Sequence, residues 1–462
     1  MSLPQQFENR NHALILGAGI SGLAAASILC SKGYEATIFG GCSNEKEKAS
    51  LISRGVIFSD LDMTTGVQAL CSNEERAASL FAVLSPGISI NFKAVELLKN
   101  AKIPIIGEME LGLALGEALL PFIAITGSKG KSSIVKLIAD TLTATGKPAI
   151  PCGNYGIPTC KIAEENKAVI PVVECSSFQL ESITEQFSPH SAILLNVSPD
   201  HLDRHLTIEN YRDTKLRIFA NCNGRRLIPS QSPYDLLEAA TDSGLDVSRF
   251  STFGLADSNA EFYYASGKIY VPSLNIHVDI SGSYFDNPII GIGAAAAVAV
   301  LMDYGLTVEQ IENGFKTFTP LAHRMQRVRT VSDVTFINDS KATSLAALLA
   351  GCKMASTEKK PIFLIAGGRL KEKITLNAND LVDFSVKKVY IIGECLEIMA
   401  SAWEKDIAIE RCYTMDVAVN KAFTAAKEAH GIVLLSPGTA SFDQFNSYNE
   451  RGEYFTKLVK QL

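Results

Sequence analysis

Short apolar runs alternate with helical stretches along nearly the whole chain, the rhythm of parallel strands joined by helices. Residues 13–16 (Ala-Leu-Ile-Leu) lead through glycines into a small-residue helix expected over 22–32, followed by a strand at 35–39. Strands at 81–84 and 103–106 complete this first set. A second set opens with the strand 122–126, a glycine-rich loop and a helix over 133–145, and continues with strands at 169–174 and 192–197. Residues 261–278 alternate apolar and polar like a β-hairpin, so this middle part is not purely parallel. After Phe318-Thr319-Pro320 the alternation restarts, with strands expected at 334–338, 362–366, 389–392 and 432–435. The pattern predicts an α/β protein of three domains, 1–106, 107–319 and 320–462. No repeat of solenoid length breaks it.

Composition narrows the classes. The chain has 462 residues, 47% of them hydrophobic and 20% charged, as in ordinary globular proteins. A net charge of -6 without a basic run leaves no electrostatic footprint for nucleic acid. Its N-terminus lacks a basic segment followed by an apolar one, and no apolar stretch reaches the roughly 20 residues of a spanning helix. Ten cysteines are scattered without a CxxC pair, which reads as reduced, buried thiols of a cytoplasmic protein.

The most specific chemistry follows the strand 122–126. Gly127-Ser128-Lys129-Gly130-Lys131-Ser132-Ser133 runs from a strand into a helix, where backbone N–H groups and the helix N-terminus attract a polyphosphate. Lys131 is placed to reach the β- and γ-phosphates of ATP, and the Ser132 hydroxyl to ligate Mg²⁺. The common pattern has a further glycine five residues before Gly130, where this chain has Ile125. Gly17-Ala18-Gly19-Ile20-Ser21-Gly22 matches a dinucleotide fingerprint, but no carboxylate follows at Phe39-Gly40-Gly41-Cys42. A diphosphate ligand other than NAD or FAD fits it better.

Other polar clusters stand at strand ends. Glu174, before Cys175-Ser176-Ser177-Phe178-Gln179-Leu180-Glu181, sits where a carboxylate can hold Mg²⁺ beside the phosphate loop. His201, in Asp200-His201-Leu202-Asp203-Arg204-His205, is a candidate metal ligand or general base. Lys215 reads from its neighbours as a solvated helix lysine. In the last domain Arg324, just past the expected boundary, is sited to reach nucleotide phosphates. Asn338-Asp339-Ser340-Lys341-Ala342-Thr343, Gly367-Gly368-Arg369-Leu370-Lys371 and residues 435–441 form three polar loops at one sheet edge, a site for a small anionic substrate.

In order and content, these runs and Ser441-Phe442-Asp443-Gln444-Phe445 resemble the Mur ligases over nearly the whole chain. The resemblance implies a Rossmann-like first domain that binds a UDP-linked substrate and a P-loop-type central ATPase domain with a mixed sheet. It implies a Rossmann-like last domain that binds the amino acid. The implied reaction is ATP-dependent addition of D-glutamate to UDP-N-acetylmuramoyl-L-alanine through an acyl phosphate, by a cytoplasmic monomer in peptidoglycan precursor synthesis. Lys131 and Ser132 would grip ATP and Mg²⁺ with Glu174. His201 would hold a second Mg²⁺ together with a carbamylated Lys215. Ser21 and Ser85-Pro86-Gly87 would line the uridine diphosphate pocket, and Asn154 would meet the muramoyl substrate. Arg324 and Asp339 would meet the nucleotide, and Lys341, Thr343, Lys371, Ser441 and Tyr448 would meet D-glutamate. Four positions depart from the family's pattern. Gly40-Gly41 and Arg369 replace common acidic residues, Tyr448 replaces Phe, and the usual His-Asn-x-x-Asn run is missing from residues 289–294.

Overall fold

The computed structural model describes residues 5–370, 374 and 376–462, so Lys371 lies outside the described residues. The chain forms two compact units, Met1–Phe318 and Thr319–Leu462. The described residues form three sheets, in the α/β arrangement expected.

The first sheet has five parallel strands in the order β3-β2-β1-β4-β5: β1 (His12–Leu16), β2 (Glu35–Phe39), β3 (Ile57–Phe58), β4 (Leu80–Leu84) and β5 (Ile105–Gly107). Every residue of β1 and β4 is buried, as continuous apolar strands must be when helices cover both sheet faces. The helices Glu108–Leu115 and Thr159–Glu164 pack beside Ile20–Ser31, and Leu111, Cys160 and Ala163 join the apolar core of the first sheet. That shared core explains why the first two sheets belong to one unit.

The second sheet runs β14-β13-β12-β11-β10-β9-β6-β8-β7. Its strands are β6 (Ile123–Thr126), β7 (Ala149–Gly153), β8 (Ile170–Glu174), β9 (Ser191–Leu194), β10 (Arg225–Pro229), β11 (Phe250–Leu255), β12 (Phe262–Ala265), β13 (Lys268–Val271) and β14 (Ile276–Asp279). The expected hairpin at 261–278 is three strands, an antiparallel meander β12-β13-β14 whose first member pairs parallel with β11. One face is covered by the helices Lys131–Ala144 and Gly291–Asp303, the second alanine-rich and buried from Ala294 to Leu301.

The third sheet has the order β15-β16-β20-β17-β18-β19: β15 (Gln326–Val331), β16 (Val334–Asn338), β17 (Ile362–Gly367), β18 (Val386–Ile392), β19 (Ala408–Tyr413) and β20 (Ile432–Leu435). Only β15 is antiparallel to its neighbour. All ten cysteines are free, but Cys30, Cys42 and Cys71 are half-buried rather than buried. No helix among the described residues is long and apolar enough to cross a membrane.

Candidate functional site

Three strand ends meet at one edge of the second sheet, because β6 lies between β8 and β9, with Ile125 paired to Glu174 and to Ile193. Such an edge is where open α/β sheets take ligands. The chain winds from Thr126 through Gly127 to Gly130 and enters its helix at Lys131, two residues earlier than the sequence pattern suggests. Gly130 caps that helix at φ +84°, a left-handed conformation that costs an L-residue about 1–2 kcal/mol. First-turn N–H groups of a helix have no intrahelical acceptor, so this end attracts anions. Asn196 clamps the loop. Its Oδ1 accepts from the amides of Ser128 (3.1 Å) and Lys129 (2.9 Å), and its Nδ2 donates to the Lys129 carbonyl at 3.0 Å. The Lys131 ammonium donates to the carbonyls of Gly127 and Ser128 at 2.7 and 3.1 Å. Lys129 and Ser133 flank the turn, each half-buried.

The Ser132 hydroxyl donates to Glu174 Oε2 at 2.5 Å, and Asn154 Nδ2 donates to Glu174 Oε1 at 2.6 Å. This brings together three residues expected at the site. No cluster of three His, Cys, Asp or Glu side chains suited to a metal occurs among the described residues. Magnesium in a polyphosphate site draws most ligands from phosphate and water, so one hydroxyl and one carboxylate fit it.

Lys215 corrects the reading of a solvated lysine. It is 1% exposed, its Nζ donates to the Gly127 carbonyl at 2.9 Å, and it lies 4.4 Å from the centre of the Tyr211 ring. Burial pushes its amine well below the usual lysine range; the nearby Lys131 adds to this and Asp200 opposes it. The cause is tertiary, since the helix Ile208–Leu216 turns this residue under the phosphate loop. His201 stands nearby on left-handed backbone (φ +52°). Its exposed ring is 4.8 Å from Phe178 and 6.5 Å from Tyr211, centre to centre, and 3.8 Å from Asp200 Oδ1.

Where the first sheet faces the second, Ser85 and Pro86 line a narrow crevice with Ile88, Glu108, Phe178 and Gln179. The Ser85 hydroxyl donates to the Gly17 carbonyl at 3.0 Å, and Ser21 stands in the first turn of the helix Ile20–Ser31 that follows the glycine turn. Glu108 is 2% exposed. Its Oε1 accepts from Thr159 Oγ1 and the Cys160 amide at 3.1 and 2.9 Å. Burial raises its pKa above the usual carboxylate range, against those hydrogen bonds. Arg204 pairs with Glu181, lies 4.1 Å over the Phe178 ring and donates to the Ile88 carbonyl at 3.2 Å. It fastens the loop after β4 to the second sheet.

In the second unit, Asp339 Oδ1 accepts from the Met325 amide at 3.2 Å and Oδ2 from the Ser436 hydroxyl at 3.0 Å. The Lys341 amide donates to the His323 carbonyl at 3.0 Å. Arg324 and Asp339 are thereby brought to one place, with the neighbouring His323 buried against Asn338. Lys341 Nζ lies 3.9 Å over the Tyr448 ring. Thr343 is half-buried in the same loop. The loop before Ser441 pairs with Arg369, whose amide donates to the Ala440 carbonyl at 2.9 Å, and the Arg369 side chain meets Glu394 at 2.9 Å.

Sequence reasoning missed Asn196 and Glu108, whose roles arise from contacts distant along the chain. It also passed over Asn287, a buried asparagine four residues before the alanine-rich helix, which accepts from the Ile289 amide at 2.8 Å.

Residues 125–292 match the Mur ligase middle domain. A UDP-N-acetylmuramoylalanine–D-glutamate ligase of Desulfatibacillum aliphaticivorans is 32% identical over 459 residues, spanning 97% of each chain. That of Protochlamydia amoebophila is 32% identical, over 97% of this chain and 98% of the relative. Among solved structures, a MurF from Acinetobacter baumannii superposes with a TM-score of 0.58 at 15% identity, covering 96% of this chain and 93% of that one. The UDP-N-acetylmuramate–alanine ligase MurC of Thermotoga maritima gives 0.57 at 13% identity, covering 98% and 99%. These two likenesses carry the fold, and the sequence relatives carry the kinship. Matched end to end at this identity, the chain belongs to the Mur ligase family, in the branch of the UDP-N-acetylmuramoylalanine–D-glutamate ligases.

Proposed function

We propose that this chain joins D-glutamate to UDP-N-acetylmuramoyl-L-alanine at the expense of ATP, in the cytoplasm, during peptidoglycan precursor synthesis. The observation that supports this most is the phosphate loop with Ser132, Glu174 and Asn154 in one hydrogen-bonded chain. It supports a nucleotide grip beside a residue expected to touch the muramoyl substrate.

A carboxylate resists attack by an amine because it is negatively charged and has no leaving group. Its oxygen therefore attacks the γ-phosphorus of ATP, the bond between that phosphorus and the β,γ-bridging oxygen breaks, and ADP leaves. The amine nitrogen of D-glutamate then adds to the acyl carbon, the C–O bond to phosphate breaks, and the amine's proton is released. Lys131, with the first turn of its helix, holds the β- and γ-phosphates and offsets charge on the transferred group. Arg324 and Asp339, gathered by the second unit's own loops, are our candidates for a further nucleotide contact. Magnesium bound at Ser132 and Glu174 supplies Lewis-acid stabilisation of the phosphoryl oxygens. Lys215, buried and disposed to be neutral, is suited to take up CO₂ as a carbamate and, with His201, to hold a second ion. Asn287 is our candidate for the adenine contact.

Ser21, Ser85 and Glu108 form the UDP-substrate side. Glu108 faces this side with a raised pKa, which suits it to donate rather than repel near a diphosphate. Lys341, Thr343, Lys371, Ser441 and Tyr448 receive D-glutamate.

The deciding experiment is phosphate release with UDP-N-acetylmuramoyl-L-alanine, ATP and single amino acids. D-glutamate should stimulate release and ligated product should form, while L-alanine, L-lysine and meso-diaminopimelate should not. Release driven by another amino acid, or by none, would reject the assignment.

A further inference from the structure

At one edge of the third sheet, β16, β20 and β17 lie side by side and parallel, so the polar loops that follow them meet. What joins these loops is a cation. Arg451, in the first turn of the helix Tyr448–Gln461, is 1% exposed. Its Nε donates to the Ser340 hydroxyl at 3.0 Å, and its Nη2 donates to the carbonyls of Ser340 (2.9 Å) and Thr439 (3.1 Å). The Ser340 hydroxyl in turn donates to the Tyr448 carbonyl at 2.8 Å. One side chain thus sets the run bearing Lys341, the run bearing Ser441 and the start of the last helix.

Two features exceed what a structural tie needs. The remaining nitrogen, Nη1, is buried without a hydrogen-bond partner, and so is the Thr439 hydroxyl. Both border the backbone at Gly368, where a built Cβ would lie 3.2 Å from Nη1, 2.6 Å from Thr439 Oγ1 and 2.3 Å from the Ala440 carbonyl oxygen. The guanidinium also has no ion pair among the described residues. Burial lowers its pKa to about 10, and Asp443, the strongest opposing charge, already accepts from the Glu394 amide at 2.9 Å. A buried cation without a counter-ion is costly, and such groups gather where an anion completes the site.

We propose that Arg451 is the positioning residue that makes this edge select an acidic amino acid. It fixes the Lys341 and Ser441 loops against each other, and its unneutralised charge beneath Gly368 favours a dicarboxylic over a neutral substrate. The proposal rests on the reading that this edge receives D-glutamate.

The test is steady-state kinetics of the full-length Arg451→Met and Arg451→Lys variants with UDP-N-acetylmuramoyl-L-alanine, ATP, and D-glutamate or D-glutamine. Arg451→Met should raise the KM for D-glutamate at least about tenfold. It should narrow the preference for D-glutamate over D-glutamine, with the KM for the UDP-linked substrate unchanged. Arg451→Lys keeps the charge and loses the fork, so it should raise the same KM yet keep the preference. Unchanged preference in Arg451→Met, or a parallel rise in every KM, overturns the proposal and leaves a purely structural arginine. If Arg451→Met does not fold, Arg451→Lys decides: a selective rise in the D-glutamate KM supports the proposal, and no rise or a parallel one overturns it. A wild-type enzyme that turns over no D-glutamate is a different failure, since it removes the reading beneath the proposal.

Discussion

An amine enclosed as Lys215 is, with Lys131 close by, surrenders its proton far more readily than a solvated one. Its native pKa lies below the ordinary 10.5. Between the two values the unfolded chain binds a proton that the native state does not, so stability rises with pH across that window. In CO₂-depleted buffer the denaturant midpoint should therefore climb as pH approaches 10.5, and Lys215→Met should lose that climb. Equal slopes for both proteins would show that the amine is not held neutral. A neutral amine is also the form that reacts with CO₂. Activity lost in Lys215→Ala should return in part with short carboxylic acids, which replace the carbamate's charge. A folded, ATP-binding variant that no acid rescues rejects carbamylation.

The strand ends of the second sheet make a loop into a site. Asn196 lies just beyond β9 and holds Ser128 and Lys129 through three hydrogen bonds. Asn196→Ala should weaken ATP binding about tenfold, equivalent to roughly 1.4 kcal/mol, and leave the KM for the UDP-linked substrate unchanged. Unaltered ATP affinity by titration calorimetry would show the clamp to be dispensable. The phosphate loop itself was legible because strand, glycines, lysine and helix are consecutive. The clamp was not, because Asn196 reaches the loop only through the pairing of β6 with β9. The strands divide the same way. Buried apolar runs such as β1, β17 and β20 were readable, whereas β7, β15 and β19 are part-exposed edges with weak patterns. The interior strand β10 was hidden by Arg225, Arg226 and Pro229. Arg451 looked like any helix arginine, and only the convergence of three loops gives it a role.

Among the described residues each compact unit carries its own apolar cores, four in Met1–Phe318 and two in Thr319–Leu462. A fragment Thr319–Leu462 should accordingly fold alone, with one cooperative thermal transition by circular dichroism. A fragment ending before Ile432 should show none, because β20 fills the gap between β16 and β17. Cooperative melting of the shorter fragment would contradict this. The position of β20 also matters during synthesis. β20, third of the six strands across the last sheet, is the last of them to leave the ribosome, so until then β16 and β17 each present an unpaired edge. A chain interrupted after β17 and before β20 would carry a first unit already made and an adhesive second one, so the interval between those two strands is when the growing protein needs cover.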